Sequence, residues 1–481
     1  MNRLARALGC GITVLLTVSV IPPAASATPR AQEPAYSLSP NRCPLPTLKG
    51  WECFTLDVPL DWWHRGNGRR ADIAVAVRRA TVESRGTLTL NPGGPGSSSL
   101  LIADQVLLAL PAAIQRSFDI VLWDPRGTGL SRPLPTGCTV PITTPVIPDT
   151  GAVDWGEVTQ TYLSASAEGN RQCYEANPGL APYLGTQYVV RDLEALRKSL
   201  GVDRWSYWGM SYGTQIGLLY ARLYPSRLRA TVLDGAVQPG LSILSAAASR
   251  GTAYQAALAM LGASMGKVHS ARMYRVIDAL NRRTYVDDEG TTVTRTVFIN
   301  RMLVAAGAQE YIPDAVADID EAYRVLFGSP RTTPAIDYGS FYARNFILCG
   351  DTVARPSIAS ASAAAEASAD IGTVNAGLVS LLWSSTCMGL PPGARPVPPV
   401  RKPIQLRTPP VIVNALGDPA TPWVWAQEMV NVFRGASFIS YEGVGHVIYG
   451  TTPSRCVNTA VTSYLLTLRR PGNLTCPYAP G

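Results

Sequence analysis

Trp205-Ser206-Tyr207-Trp208-Gly209-Met210-Ser211-Tyr212-Gly213-Thr214 is the stretch on which the fold turns. Residues 205–208 read as a short buried strand. Residues 214–224 read as a helix that Pro225 ends. Between them lies a G-x-S-x-G pentapeptide in the strand–turn–helix context of a nucleophile elbow. The turn is so sharp that side chains flanking the serine would clash, and Gly209 and Gly213 remove them. Ser211 then stands at a helix N-terminus, where backbone N–H groups favour developing negative charge.

The same logic extends outward. Alternating apolar residues predict half-buried strands over 52–60 and 73–80. A strand over 86–90 runs into Asn91-Pro92-Gly93-Gly94-Pro95-Gly96. Another, over 118–123, runs into Asp124-Pro125-Arg126-Gly127-Thr128-Gly129. A helix is expected over 188–200, and a strand over 230–233 ends at Asp234-Gly235. Strands that feed Gly-rich loops and then helices predict an open, mostly parallel α/β sheet with its ligand at the carboxyl ends of the strands. Residues 28–50 read as an irregular leader and 132–160 as a Pro- and Thr-rich surface excursion. Residues 51–239 and 401–481 read as two parts of the α/β core. The Ala-rich, largely helical 240–400 reads as an inserted cap, with Pro-rich breaks near 329–334 and 391–403. Strands resume over 410–416 and 436–441, and a final helix covers 454–468.

A serine hydroxyl needs a base, and the chain has three histidines. His64 falls in an early loop and His269 in the helical insert. His446 follows the last strand, which fits the chain order serine, acid, histidine. Asp418, ending the strand at 410–416, is the favoured acid to fix the tautomer of His446; Asp234 is the rival. Tyr212 N–H and an N–H of the 91–96 loop, Gly94 by preference, would hold the oxyanion. A phosphate-cradling role for that loop lacks the Lys-Ser or Lys-Thr it needs. Thr421 is a candidate support for Asp418.

The chain has 481 residues, 46% of them apolar, a formal charge of +8 and nine cysteines. Arg3 and Arg6, an apolar run over 12–21 and Ala25-Ser26-Ala27 predict a secretory signal cut after residue 27. The run is too short for a membrane span, and Cys10 precedes it, which argues against lipidation. Eight cysteines would remain, an even number that suggests disulfides in an exported protein. Proximity favours Cys43–Cys53 and Cys456–Cys476, and Cys138–Cys173 and Cys349–Cys387 would then follow by elimination, although eight cysteines allow 105 pairings. No C-x-x-C pair occurs and histidine is scarce, so no metal is expected. The basic residues are scattered, which argues against nucleic acid and leaves a weak attraction to acidic wall polymers.

Taken in order, the Asn91–Gly96 loop, Trp123-Asp-Pro-Arg-Gly-Thr-Gly-Leu-Ser131, Gly209–Gly213, Gly417-Asp-Pro-Ala-Thr-Pro422 and Gly445-His446 resemble the secreted tripeptidyl aminopeptidases of actinobacteria. These belong with the prolyl iminopeptidase-like α/β-hydrolases and carry a characteristic C-terminal segment. The resemblance implies an α/β-hydrolase fold, a serine exopeptidase releasing short N-terminal peptides, and Ser211, Asp418 and His446 as its triad. Prolyl iminopeptidases usually carry a histidine before the Gly-Gly where this chain has Pro92, which argues against a strict member of that type. An exopeptidase must also hold the substrate's ammonium, and Asp351, beside Cys349, is the candidate. A loop-capping aspartate is the plainer reading of Asp351. No organic cofactor is expected. Two other functions stay open: a carboxylesterase on the same triad, and a binding protein that reuses the fold.

Overall fold

The computed structural model describes residues 36–132, 138, 145, 153–240, 242–280, 283–307, 312–326, 339–371 and 374–479. The expected signal (1–27), the start of the leader (28–35), most of the 132–152 stretch and the Pro-rich break at 329–334 lie outside them.

Ten strands form one sheet. In chain order these are β1 (Leu38–Asn41), β2 (Glu52–Pro59), β3 (Arg70–Arg78), β4 (Thr87–Asn91), β5 (Asp119–Trp123), β6 (Trp205–Met210) and β7 (Leu228–Asp234). A small antiparallel pair, β8 (Tyr285–Val286) and β9 (Thr292–Val293), stands apart. The sheet then continues with β10 (Val411–Gly417), β11 (Ser437–Val444) and β12 (Leu474–Cys476). Its spatial order is β1-β2-β3-β5-β4-β6-β7-β10-β11-β12. The first three pairings are antiparallel and every pairing from β5 to β12 is parallel. This is the α/β-hydrolase architecture expected from the sequence. Chain order reverses around β4, so β4 and β6 open a crevice at their carboxyl ends.

Residues of β4 and β6 are buried throughout, as parallel strands covered on both faces must be. Neighbouring side chains go to opposite faces. Val121 and Trp123 join a core with α4 (Thr186–Ser199) and α5 (Gly213–Leu223). Ile120 and Leu122 join a second core with α1 (Ala103–Ala109), α2 (Ala112–Ser117) and α13 (Arg455–Thr467).

The remaining helices are α3 (Trp155–Ala176), α6 (Ile243–Ala279, kinked at Gly266), α7 (Arg295–Gly307), α8 (Ile312–Leu326), α9 (Gly339–Gly350), α10 (Ile358–Ile371), α11 (Val374–Ser384) and α12 (Trp423–Asn431). The last of these, α12, packs on β10 within the sheet domain. One cap core joins α6, α7 and α8 through Tyr254, Leu258, Met273, Phe298 and Ile319. Another joins Trp155, Tyr162 and Leu163 of α3 to Ala361 and Ala365 of α10 and Leu381 of α11. The structure differs from the sequence reading here: α3 starts inside the expected excursion and packs with the cap, although it precedes the elbow. Leu38–Asn41, within the expected irregular leader, pairs with β2 as an edge strand. Four disulfides are present, Cys43–Cys53 and Cys456–Cys476, which proximity favoured, and Cys138–Cys173 and Cys349–Cys387, expected by elimination. Among the described residues no helix is long and apolar enough to cross a membrane.

Candidate active site

β6 runs straight into Ser211, whose φ is +53°, a conformation rare for a residue with a Cβ. A Cβ on Gly209 would strike the backbone of Gly213, and one on Gly213 would strike that of Asn91. The two glycines therefore let strand, turn and helix close on one another, with Ser211 partly exposed at the apex. Ser211 N–H donates to the carbonyl of Asp234 at 2.8 Å, which fixes the turn to the end of β7.

The 91–96 loop lies against this apex. Gly93 has φ +96°, and a Cβ there would stand 2.8 Å from Ser211 Cβ and 3.0 Å from Tyr212 N. Its own N–H donates to Asn91 Oδ1 at 3.0 Å. Neither Gly94 N–H nor Tyr212 N–H donates to an acceptor among the described residues. One unengaged donor thus remains on the elbow and one on the loop that packs against it.

Asp418 follows β10 and is buried. Its carboxylate accepts from Ala420 N–H and Thr421 N–H, both at 2.8 Å, and from Thr421 Oγ1 at 2.8 Å. His446 Nδ1 lies 2.9 Å from Asp418 Oδ2. The bond from Thr421 Oγ1 to Asp418 is the support expected of it, and Thr421 Oγ1 also approaches His446 Nδ1 at 3.3 Å. The imidazole packs over Gly235, where a Cβ would come within 3.0 Å of His446 Cε1. Asp418 and His446 are therefore bonded directly. Ser211 is linked to them through the Asp234–Gly235 corner, and its hydroxyl has no hydrogen-bond partner among the described residues. His64 pairs with Asp61 at 2.7 Å on the surface, and His269 lies 3.6 Å from Asp320 in the cap.

Asp234, the rival acid, bonds backbone instead: it accepts from Ile448 N–H at 3.0 Å and Tyr449 N–H at 2.8 Å, and burial pushes its pKa up to about 7. Asn414 is a support the sequence reading missed. Its side chain accepts from Ala236 N–H and donates to Thr421 O, joining the strand ends that carry Asp234 and Asp418. An amide inside an apolar strand, Val411-Ile412-Val413-Asn414-Ala415, was the available signal.

The Asp124–Gly129 motif is a brace. Asp124 accepts from Ser98 Oγ at 2.6 Å, Leu100 N–H at 3.2 Å and Leu130 N–H at 2.9 Å, so it clamps the segment after the glycine loop. Arg126 is buried and forks onto Asp192 at 2.6 and 2.7 Å, with further bonds to the carbonyls of Pro59 and Leu60.

A cavity of about 370 Å³ opens beside Tyr212. Core residues Gln215 and Val237, cap residues Ile243 and Leu348, and Pro396–Pro399 enclose it, and Asp351 lines it. Asp351 accepts from Thr186 N–H at 2.6 Å and from Thr186 Oγ1, which also meets Tyr212 Oη. Thr186 is the first residue of α4, so Asp351 caps an otherwise orphaned N–H. Burial raises its pKa to about 7. Each carboxylate oxygen retains a further lone pair.

The sheet order, the strained serine after β6 and the Asp418–His446 pair after β10 and β11 agree. The chain is a serine hydrolase of the α/β-hydrolase fold. Residues 378–476 of the hydrolase match the family described as TAP-like protein. The hydrolase is 27% identical to the serine protease Hip1 of Mycobacterium tuberculosis, over 92% of its own chain and 90% of that protein. It is also 27% identical to the tripeptidyl aminopeptidase of Streptomyces lividans, over 89% of its chain and 84% of the other. Carboxylesterase B of M. tuberculosis is 28% identical across 49% of the hydrolase and 46% of that enzyme. The likeness to tripeptidyl aminopeptidases that the motifs implied thus extends over most of the chain.

Proposed function

We propose that the hydrolase is an exported exopeptidase that removes short peptides from a free N-terminus. The observation that carries this reading is Asp351: a carboxylate with no cationic partner among the described residues, lining a cavity that Tyr212, the residue after Ser211, also lines. An α-ammonium placed there would gain a charge-assisted bond in a desolvated site.

In this reading Ser211 Oγ attacks the scissile carbonyl while His446 Nε2 takes its proton. Asp418 holds the imidazole by Nδ1 and stabilises the imidazolium. Gly94 and Tyr212 N–H groups hold the oxyanion. His446 protonates the departing amine, and water then attacks the acyl-enzyme with His446 again as base. The Ser211–His446 bond forms as substrate settles, since such bonds are commonly loose in the empty enzyme. Export is supported by the signal-like N-terminus and by four disulfides, which persist in oxidising surroundings.

A second reading, a carboxylesterase on the same triad, is favoured by the apolar lining from Val237, Ile243, Leu348 and Val397. One assay separates the two. An Ala-Pro-Ala anilide with a free amine, its acetylated form and a short p-nitrophenyl ester are compared, with Ser211→Ala as control. Strong preference for the free amine supports the exopeptidase. Turnover of the ester alone would sink it and leave the esterase.

A further inference from the structure

The inward face of α6 carries Ile243, Ala246, Ala247, Tyr254, Ala257, Leu258 and Leu261, all buried. Arg250 falls on this stripe, three and four residues from its neighbours on either side, at a place where an apolar residue is the rule. Its guanidinium lies 4.0 Å from the ring centroid of Trp383 on α11, while Arg344 of α9 lies 4.6 Å from the same ring. Among the described residues Arg250 has no acidic partner within salt-bridge distance and no hydrogen-bond acceptor. A half-buried guanidinium stacked on an indole still has its in-plane donors to satisfy.

Its place along α6 says what it faces. Ile243 lines the cavity at Tyr212. Met260 Sδ lies 2.8 Å from where a Cβ on Gly417 would be, next to Asp418. Arg250 stands two turns beyond Ile243 on the same face, about 10 Å along the axis, between those two points. Along the axis of α6 it thus lies between the part that lines the Tyr212–Asp351 cavity and the part that meets the strand end carrying Asp418. Burial and the like charge of Arg344 pull its pKa down to about 9, and the carboxylate of Asp418 opposes this. Asp418 itself is already occupied by His446, Thr421 and two backbone N–H groups.

We propose that Arg250, stacked on Trp383 beside Arg344, receives a carboxylate on the leaving-group side of the substrate. The hydrolase then prefers peptides whose first residue after the scissile bond carries an acidic side chain or a free α-carboxylate. Arg250 is a specificity-determining residue in this scheme, which rests on the peptidase reading above.

Two matched pairs of free-amine tetrapeptides test it: Ala-Pro-Ala-Glu-amide against Ala-Pro-Ala-Gln-amide, and Ala-Pro-Ala-Ala with a free carboxyl end against its amide. The expected result is a preference for the carboxylate of roughly tenfold or more in kcat/KM in at least one pair. The pair that responds identifies the side chain or the chain end as its source. Arg250→Gln should bring that ratio to about one, with fluorophosphonate labelling of Ser211 used to show that the variant is folded. If it does not fold, Arg250→Lys replaces it, and loss of the planar fork should lower the ratio severalfold. Cleavage of all four peptides at equal rates overturns the inference and leaves the peptidase reading standing. Cleavage of none, with the ester still turned over, overturns both.

Discussion

Asp234 accepts the backbone N–H of Tyr449 through its carboxylate, at 2.8 Å, while its own carbonyl accepts the N–H of Ser211 at the same distance. One residue at the end of β7 therefore fixes both the nucleophile turn and the loop after His446. Replacing it with alanine should lower kcat by about ten- to a hundredfold with little change in KM, because the proposed base loses its placement while substrate contacts persist. Burial also raises its pKa to about 7, against about 3.9 in an unfolded chain. The native state then holds a proton that the unfolded state releases, so this group's stabilising contribution is full below pH ~4 and lost as pH rises to ~7. The difference in melting temperature between wild type and Asp234→Asn should follow that slope.

Ser211→Ala should abolish turnover of peptide and ester alike. Asp418→Asn should lower kcat by about 10⁴-fold, since the amide no longer fixes the tautomer with Nδ1 protonated. Single-turnover release of the anilide measures both.

Gly93 offers a steric test of the oxyanion loop. A Cβ there would stand 2.6 Å from Met210 O and 2.8 Å from Ser211 Cβ, with φ at +96°. Gly93→Ala should cost most of the activity and lower the melting temperature. Gly66→Ala, where nothing lies within 4 Å, should do neither.

Much of this was legible beforehand. The elbow, the strand ends bearing Asp418 and His446, and the Cys43–Cys53 and Cys456–Cys476 pairs are local: each depends on residues adjacent in sequence or on short spacing. What escaped depends on tertiary partners. α3 is rich in Ala, Ser and Gly with sparse apolar positions, and its face makes sense only against α10 and α11. Asp154, which accepts Glu157 N–H at its start, was the one local sign. β1 contains a proline and little alternation, so only its pairing with β2 reveals a strand.

Asp351 supplies a pH test. With a pKa of about 7 its ionised fraction grows as pH rises through that value, whereas a peptide's α-amino group loses its proton near pH ~7.7–8.0. The ratio of kcat/KM for free-amine peptide to that for ester should therefore peak between about pH 7 and 8. Taking the ratio cancels titration of the shared base. In Asp351→Asn the rising limb should vanish.

The Arg126–Asp192 pair is fully buried. Removing one partner strands the other charge, so Arg126→Met should destabilise by about 3–5 kcal/mol. Adding Asp192→Leu should recover part of that loss, as a double-mutant cycle read by denaturant unfolding would register.

The partnership of α3 with α10 and α11 sets a limit on how this enzyme can be trimmed or rebuilt. A lid encoded by one continuous insertion could be excised, or exchanged for another, by joining two neighbouring ends. Here Trp155, Tyr162 and Leu163 would be left facing water if residues 240–400 were cut away. A lidless miniature, or a chimera with a borrowed lid, must therefore also redesign a helix that the chain lays down before it reaches the nucleophile.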